Sequence, residues 1–271
     1  MTGKTRELVS WELQESWSFP ILELVLAVSI IQALTFQLIQ PEDAQVLGGV
    51  SDPFWRSTLF LFAITAAVVF GRSYGESIEK RKMVVLLGYP VSRKEVFLSK
   101  FSANLFACLL VFGTVLLAEG VLAFLFEPRV TWAPYSGAWY SVYSIAPAIW
   151  GFMFLSLSLV VFFTSSLMSF LALATKRFGL SILVFLVFIF GLEYWTGTLG
   201  NAEPLAYLSL SRGPAAIVSY LSAAYYRAMG LGHMGTGITF ELFSTALCYL
   251  LIAGVALFVV SLLLLRRMDL D

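Results

Sequence analysis

Charge is the scarcest ingredient of this sequence. Only 13% of its 271 residues are Asp, Glu, Lys or Arg, where a soluble domain carries about a quarter, and seventeen basic residues are balanced by seventeen acidic ones. Binding nucleic acid needs a clustered basic excess to replace phosphate counterions, so nucleic acid is excluded as a partner. A single histidine, His233, cannot build a multi-histidine metal site, and neither HExxH nor CxxC occurs, so no metal is expected. Both cysteines, Cys108 and Cys248, lie inside apolar runs, which leaves neither a disulfide framework nor a thiolate cluster. No GxxxxGK[ST] is present, so this chain has no loop of its own to cradle ATP phosphates. No internal repeat, low-complexity tract or soluble segment is long enough to stand as a separate domain.

What fills the sequence instead is apolar: 59% of residues are hydrophobic and the mean hydropathy is +0.86. That composition belongs to an integral membrane protein. A bilayer core about 30 Å thick needs roughly 20 apolar residues in a helix. Six runs of that order are present: Phe19 to Ile39, Phe54 to Tyr74, Phe101 to Phe126, Ile145 to Ala174, Leu180 to Tyr194 extended toward Leu199, and Ile238 to Leu265. Pro147 is expected to start or kink the fourth. Basic residues are retained on the cytoplasmic side. With both termini inside, the inner segments hold Lys4, Arg6, Arg72, Lys80, Arg81, Lys82, Arg93, Lys94, Lys100, Lys176, Arg177, Arg266 and Arg267, and the outer ones only Arg56, Arg129, Arg212 and Arg227. The expectation is an all-α, multi-pass protein of the cell membrane, a single domain over residues 1–271 with six transmembrane helices and both termini cytoplasmic.

Before the first span, over residues 1–18, Val9, Leu13 and Trp17 recur at helical spacing while Arg6, Glu7, Glu12 and Glu15 occupy the other faces. This predicts an amphipathic helix lying on the inner leaflet. On the other side, Trp132, Tyr135, Trp139, Tyr140 and Tyr143 read as an aromatic belt at headgroup depth. The outer connection 200–237 contains RGPAAIVSYLSAAYYRAMG, with Pro214 suited to a first helical turn and Gly230 to a C-terminal cap. A short outer helix is expected there, between the fifth and sixth spans.

The charged residues concentrate in one cytoplasmic stretch, ESIEKRKMVVLLGYPVSRKEVFLSKF, Glu76 to Phe101. Glu76 with Lys80 and Glu79 with Lys82 have helix-surface spacing, which predicts a helix from about Gly75 to Leu87, ended by Gly88. Tyr89 and Pro90 then break the chain, and Ser92 with Glu95 forms the S-x-x-E capping box of the next helix. The apolar patch Met83 to Leu87 is too greasy for water and too short to span; it needs a protein partner or the bilayer surface. The plainest role for such a loop is to fix topology and touch anionic lipid.

The run from Glu79 through Lys100, with LLGYPVSRKEVFLSK, resembles the first cytoplasmic loop of the ATP-binding-cassette type-2 permease family, in which a pattern close to LLxxPVSRxExxxGK follows the second span. Ser99 stands where that pattern has glycine. The resemblance implies a permease subunit of an ATP-driven exporter, paired with a second permease chain as homodimer or heterodimer. Two separate ATPase subunits would bind the ATP and Mg; no cofactor is expected in this chain. It further implies that Glu76 to Leu87 is a coupling helix seated in a groove of the ATPase. Met83, Val84, Leu86 and Leu87 would give apolar contact, and Lys80, Arg81, Lys82, Arg93 and Lys94 would give charge complementarity. Glu76, Glu79, Tyr89, Pro90 and Glu95 shape the hairpin, and Lys176 with Arg177 in the second inner connection would be the minor contact.

Other residue patterns point elsewhere. GRSYG, Gly71 to Gly75, fits the serine-hydrolase pattern, but its serine needs a histidine within about 3 Å, and His233 is expected a bilayer away from Ser73. GLGHMG, Gly230 to Gly235, matches G-x-G-x-x-G without the preceding strand that a dinucleotide site requires. Glu23, Glu119, Glu193 and Glu241 sit in or near the bilayer, where a carboxylate must be protonated, paired or wet. Glu119, Glu193 and Glu241 map toward the outer half and, with Ser158 and Ser165, are candidates to line a substrate path. Ser158, Ser165 and Ser169 share one face of the fourth span, where small polar residues also permit close helix packing. A proton-coupled carrier would want deeper carboxylates alternating with basic partners. A membrane adaptor that regulates an ATPase without moving cargo would use the same loop.

Overall fold

The computed structural model of the chain describes residues 3–17, 20, 23–31, 52–82, 92–126, 139–199, 208 and 240–267. Among these residues the protein is all-helical, without a strand. Helix α1 spans Gly3–Trp17, and α2 residues 23–31. Helix α3 runs over Asp52–Gly71 and continues through a π-turn, Arg72–Glu76, into Ser77–Glu79. Helix α4 spans Arg93–Phe126, α5 Trp139–Thr175, α6 Phe178–Leu199 and α7 Phe240–Arg267. Pro53 sits in the first turn of α3, where its missing N–H costs nothing. Helix α5 passes through Pro147 and begins at Trp139, earlier than the apolar run alone predicts.

Five segments are long and apolar enough to cross a membrane: Leu59–Glu79, Arg93–Ala118, Phe154–Thr175, Phe178–Trp195 and Ser244–Arg267. They correspond to the second through sixth expected spans, and they make this a membrane protein. Of the first expected span only residues 20 and 23–31 are described, so that span is not among the five. The connection 200–237, expected on the outer side, lies outside the described residues apart from Leu208, as do His233, Trp132 and Tyr135.

The bundle is built around α3 and α5. In these the spanning segments are 61% and 67% buried, against 17% in both α6 and α7. Ala63, Ala66 and Ala67 of α3 and Ser165, Ser166, Ser169 and Ala172 of α5 are almost fully buried, and α3 packs directly on α5. Small side chains let two backbones approach closely, which is how helices associate when lipid offers no hydrophobic advantage. Bulky rings fill the rest. Phe62 stacks on Phe112 with centroids 4.0 Å apart, and Phe101 meets Phe70 at 5.2 Å and Phe258 at 4.8 Å, joining α3, α4 and α7. The exposed apolar side chains are concentrated on α6 and α7, among them Leu183, Val187, Phe190, Ile252 and Val255, the face that a membrane protein turns to lipid.

Candidate functional site

One end of the bundle gathers most of the described basic residues, and ties between helix ends hold it together. The chain leaves α3 there. Arg72 Nε donates to Glu76 at 2.9 Å, and Lys80 pairs with the other oxygen of the same carboxylate, so the expected Glu76–Lys80 spacing is realised. The expected single helix from Gly75 to Leu87 is not. Lys80 leaves the helical region, Arg81 adopts a left-handed φ of 57°, and Arg81 N–H turns back to Ile78 O at 3.0 Å. Glu76 to Glu79 are therefore the end of the second-span helix, and the chain breaks at Lys80–Arg81. The helix stops where its last turn meets the start of α6. Glu76 is held by Arg72 and Lys80, and Glu79 turns away to accept the Phe178 N–H at 3.3 Å. Met83, Val84, Leu86, Leu87, Tyr89 and Pro90 lie outside the described residues.

The capping box starts α4. Ser92 N–H donates to Glu95 Oε2 at 2.9 Å, and Glu95 N–H donates back to Ser92 Oγ at 3.2 Å, as the spacing predicts. One step on, Arg93 Nη1 reaches the carbonyls of Leu265 and Arg266 at 3.5 and 3.3 Å. A guanidinium there satisfies carbonyls at the C-terminal end of α7 that have no acceptor role within the helix and complements its dipole. Lys94 is exposed.

Deeper in, the structure departs from the expectation. Lys100 is not a cytoplasmic loop charge: it is 1% exposed, its Nζ 2.5 Å from Oε1 of Glu12, itself 3% exposed. Trp11 adds its ring 5.8 Å from the ammonium. Helix α1 thus packs on α4 with a carboxylate inward, and not solely through the Val9–Leu13–Trp17 stripe, although Leu13 does contact the core. The pairing wins because a lysine at the start of an apolar helix cannot stay charged and unpaired once buried. That rule is also the signal that could have found it: Lys100 immediately precedes the third apolar run, Phe101 to Phe126. Around it, Tyr74 Oη donates to Phe97 O at 2.9 Å, and Asn104 Nδ2 lies 2.8 Å from both Ser73 Oγ and Lys100 O. Ser73, the nominal serine of GRSYG, accepts from an amide that cannot take its proton.

The second connection lies beside the first. Only Lys176 and Arg177, both exposed, separate α5 from α6. Lys176 has a φ of 56° and its N–H closes on Ala172 O at 3.0 Å. The structure thus brings Glu79 and Gly75 of the first connection to Arg177 and Phe178 of the second. The candidate path residues are more scattered. Ser158 donates to Phe154 O of its own helix at 2.7 Å. Ser165 is fully buried, and its hydroxyl, like those of Ser166 and Ser169, has no hydrogen-bond partner among the described residues. Glu193 is half-buried and engaged, and Glu119 and Glu241 are helical, with their side chains outside the described residues.

Among the described residues no three His, Cys, Asp or Glu side chains gather to hold a metal ion. What the arrangement offers is a charged, braced platform. No protein-family model matches the chain, and no curated protein matches its sequence.

Proposed function

We propose that the chain is the membrane-spanning permease subunit of an ATP-driven exporter of the ATP-binding-cassette type-2 class, located in the cell membrane. In this reading it has six spans, residues 23–31 belonging to the first, with both termini cytoplasmic and α1 at the inner membrane interface. Two such permeases pair, and separate ATPase subunits bind ATP and Mg and dock on the segment from Glu76 to Glu95, with Lys176 and Arg177 as the lesser contact. The observation that carries this is the bracing at the basic end. The helix ends on either side of the segment between Lys80 and Ser92 are pinned to their neighbours, which is what a segment needs in order to transmit force. The loop's resemblance to LLxxPVSRxExxxGK adds the class. Purifying the tagged chain from its own host's membranes tests it: an ATP-binding-cassette ATPase is expected to accompany it and to be lost in Met83→Asp/Leu86→Asp while the permease stays inserted. Full co-purification and transport in that variant overturn the proposal.

A second reading, proton-coupled transport, gains support from the buried Glu12–Lys100 pair, a carboxylate and an ammonium facing each other out of water. Transport that stops when the pH gradient is collapsed, and is indifferent to ATP, would select it.

A further inference from the structure

We infer that Gly75 and Glu79 are positioning residues that join the two connections at the basic end into one mechanical unit, so that a displacement of the segment between Lys80 and Ser92 is delivered to α6 as well as to α3 and α4. This rests on the docking role proposed above for that segment.

The first N–H groups of a helix have no acceptor within it. In α6 the N–H of Phe178 is taken by Glu79 Oε2 at 3.3 Å, across 99 positions of sequence, and a carboxylate at that end also suits the helix dipole. Gly75 makes the approach possible. A Cβ at that position would lie 3.0 Å from Phe178 Cα, 3.1 Å from Phe178 N and 3.4 Å from Arg177 C. These are backbone atoms, which cannot rotate aside. Gly71 continues the contact one turn deeper, where a Cβ would meet the Phe178 ring at 3.3 Å and Ile182 Cδ1 at 3.4 Å.

Gly71, Gly75 and Glu79 follow each other at intervals of four. In an uninterrupted α-helix at about 100° per residue, the third would drift about 80° from the first. The π-turn Arg72–Glu76 lies between them and holds more residues per turn, taking up that drift and keeping all three against the start of α6. The opposite side is stiff. Besides the Lys176 turn, Ser181 N–H bonds Arg177 O at 3.1 Å and Ser181 Oγ donates to Phe178 O at 2.7 Å. A connection of two residues, so pinned, has no slack in which to absorb a push.

Hydrogen–deuterium exchange on the full chain in lipid nanodiscs tests the joint without any partner. In the wild-type protein, amides 72–79 and 175–181 are expected to open together. Glu79→Ala is expected to speed exchange at 175–181 by about tenfold or more, whereas Glu79→Gln, whose amide oxygen still accepts, stays within about twofold. Lys80→Ala, which removes only the neighbouring ion pair, is expected to leave that segment unchanged. Unchanged exchange at 175–181 in Glu79→Ala, or independent opening of the two segments in the wild type, overturns the inference. ATPase co-purification from the same preparations separates the two claims: its absence from the wild-type chain sinks the docking role, while the exchange result still decides the joint.

Discussion

Glu12 and Lys100 meet inside the bundle, whereas Arg72, Glu76 and Lys80 meet at its rim. The chemistry is the same, carboxylate against cation, and the two groups of residues belong to the same end of the molecule. Their surroundings differ. The Glu12 and Lys100 side chains are 4% and 1% exposed, and that of Lys80 is 61% exposed. A pair taken out of water has lost its hydration and depends wholly on its partner. A pair at the rim keeps water as an alternative and contributes little. The contrast separates a pair that depends on its partner alone from a group that shares its partners with water.

The comparison can be broken most sharply at its buried end. Lys100→Met alone leaves Glu12 without its cation and is expected to cost about 3–5 kcal/mol, read as a fall in melting temperature in detergent micelles. Glu12→Leu combined with Lys100→Met is expected to recover most of that loss; if it does not, the pair is not the source of the cost. Next in size is Gly75→Val, which forces atoms into the Phe178 backbone and is expected to cost about 1–3 kcal/mol in the same assay. Ser92→Ala removes the cap of α4 and should cost about 1 kcal/mol, with fraying visible as faster amide exchange over residues 93–96. Lys80→Ala closes the series at about 0.3–0.5 kcal/mol. Added salt sharpens the contrast further: 1 M salt shrinks the screening length to about 3 Å, so the effect of Lys80→Ala should vanish while that of Lys100→Met persists.

Five of the spans were legible because apolar runs of bilayer length leave little freedom: in lipid every backbone polar group must be paired within the segment, and a helix does that unaided. The Ser92–Glu95 box was legible for a similar reason, since its partners are three residues apart. Glu76–Lys80 was legible as well, but where its helix stops was not, because a helix end is decided by what it meets in the fold. Nothing within the stretch from Gly75 to Leu87 announces that Glu79 will turn to Phe178. The burial of Glu12 was not legible, because periodicity on one short helix reports only that helix. The candidate path residues Glu119, Glu193, Glu241, Ser158 and Ser165 share only type and depth, and neither property says which of them face one another.

What the sequence determined by itself is local or solvent-driven: a membrane protein of long apolar helices, a cluster of basic residues at one end, and a cap launching α4. Each follows from interactions within a few residues, or from the partition of side chains between lipid and water. Tertiary structure alone decided that Lys100 is a buried partner of Glu12 rather than a surface charge, that Gly75 marks a backbone-to-backbone contact, and that the two connections are joined through Glu79. Those outcomes depend on which helix ends meet. A charge or a missing Cβ acquires its meaning only from the group placed opposite it.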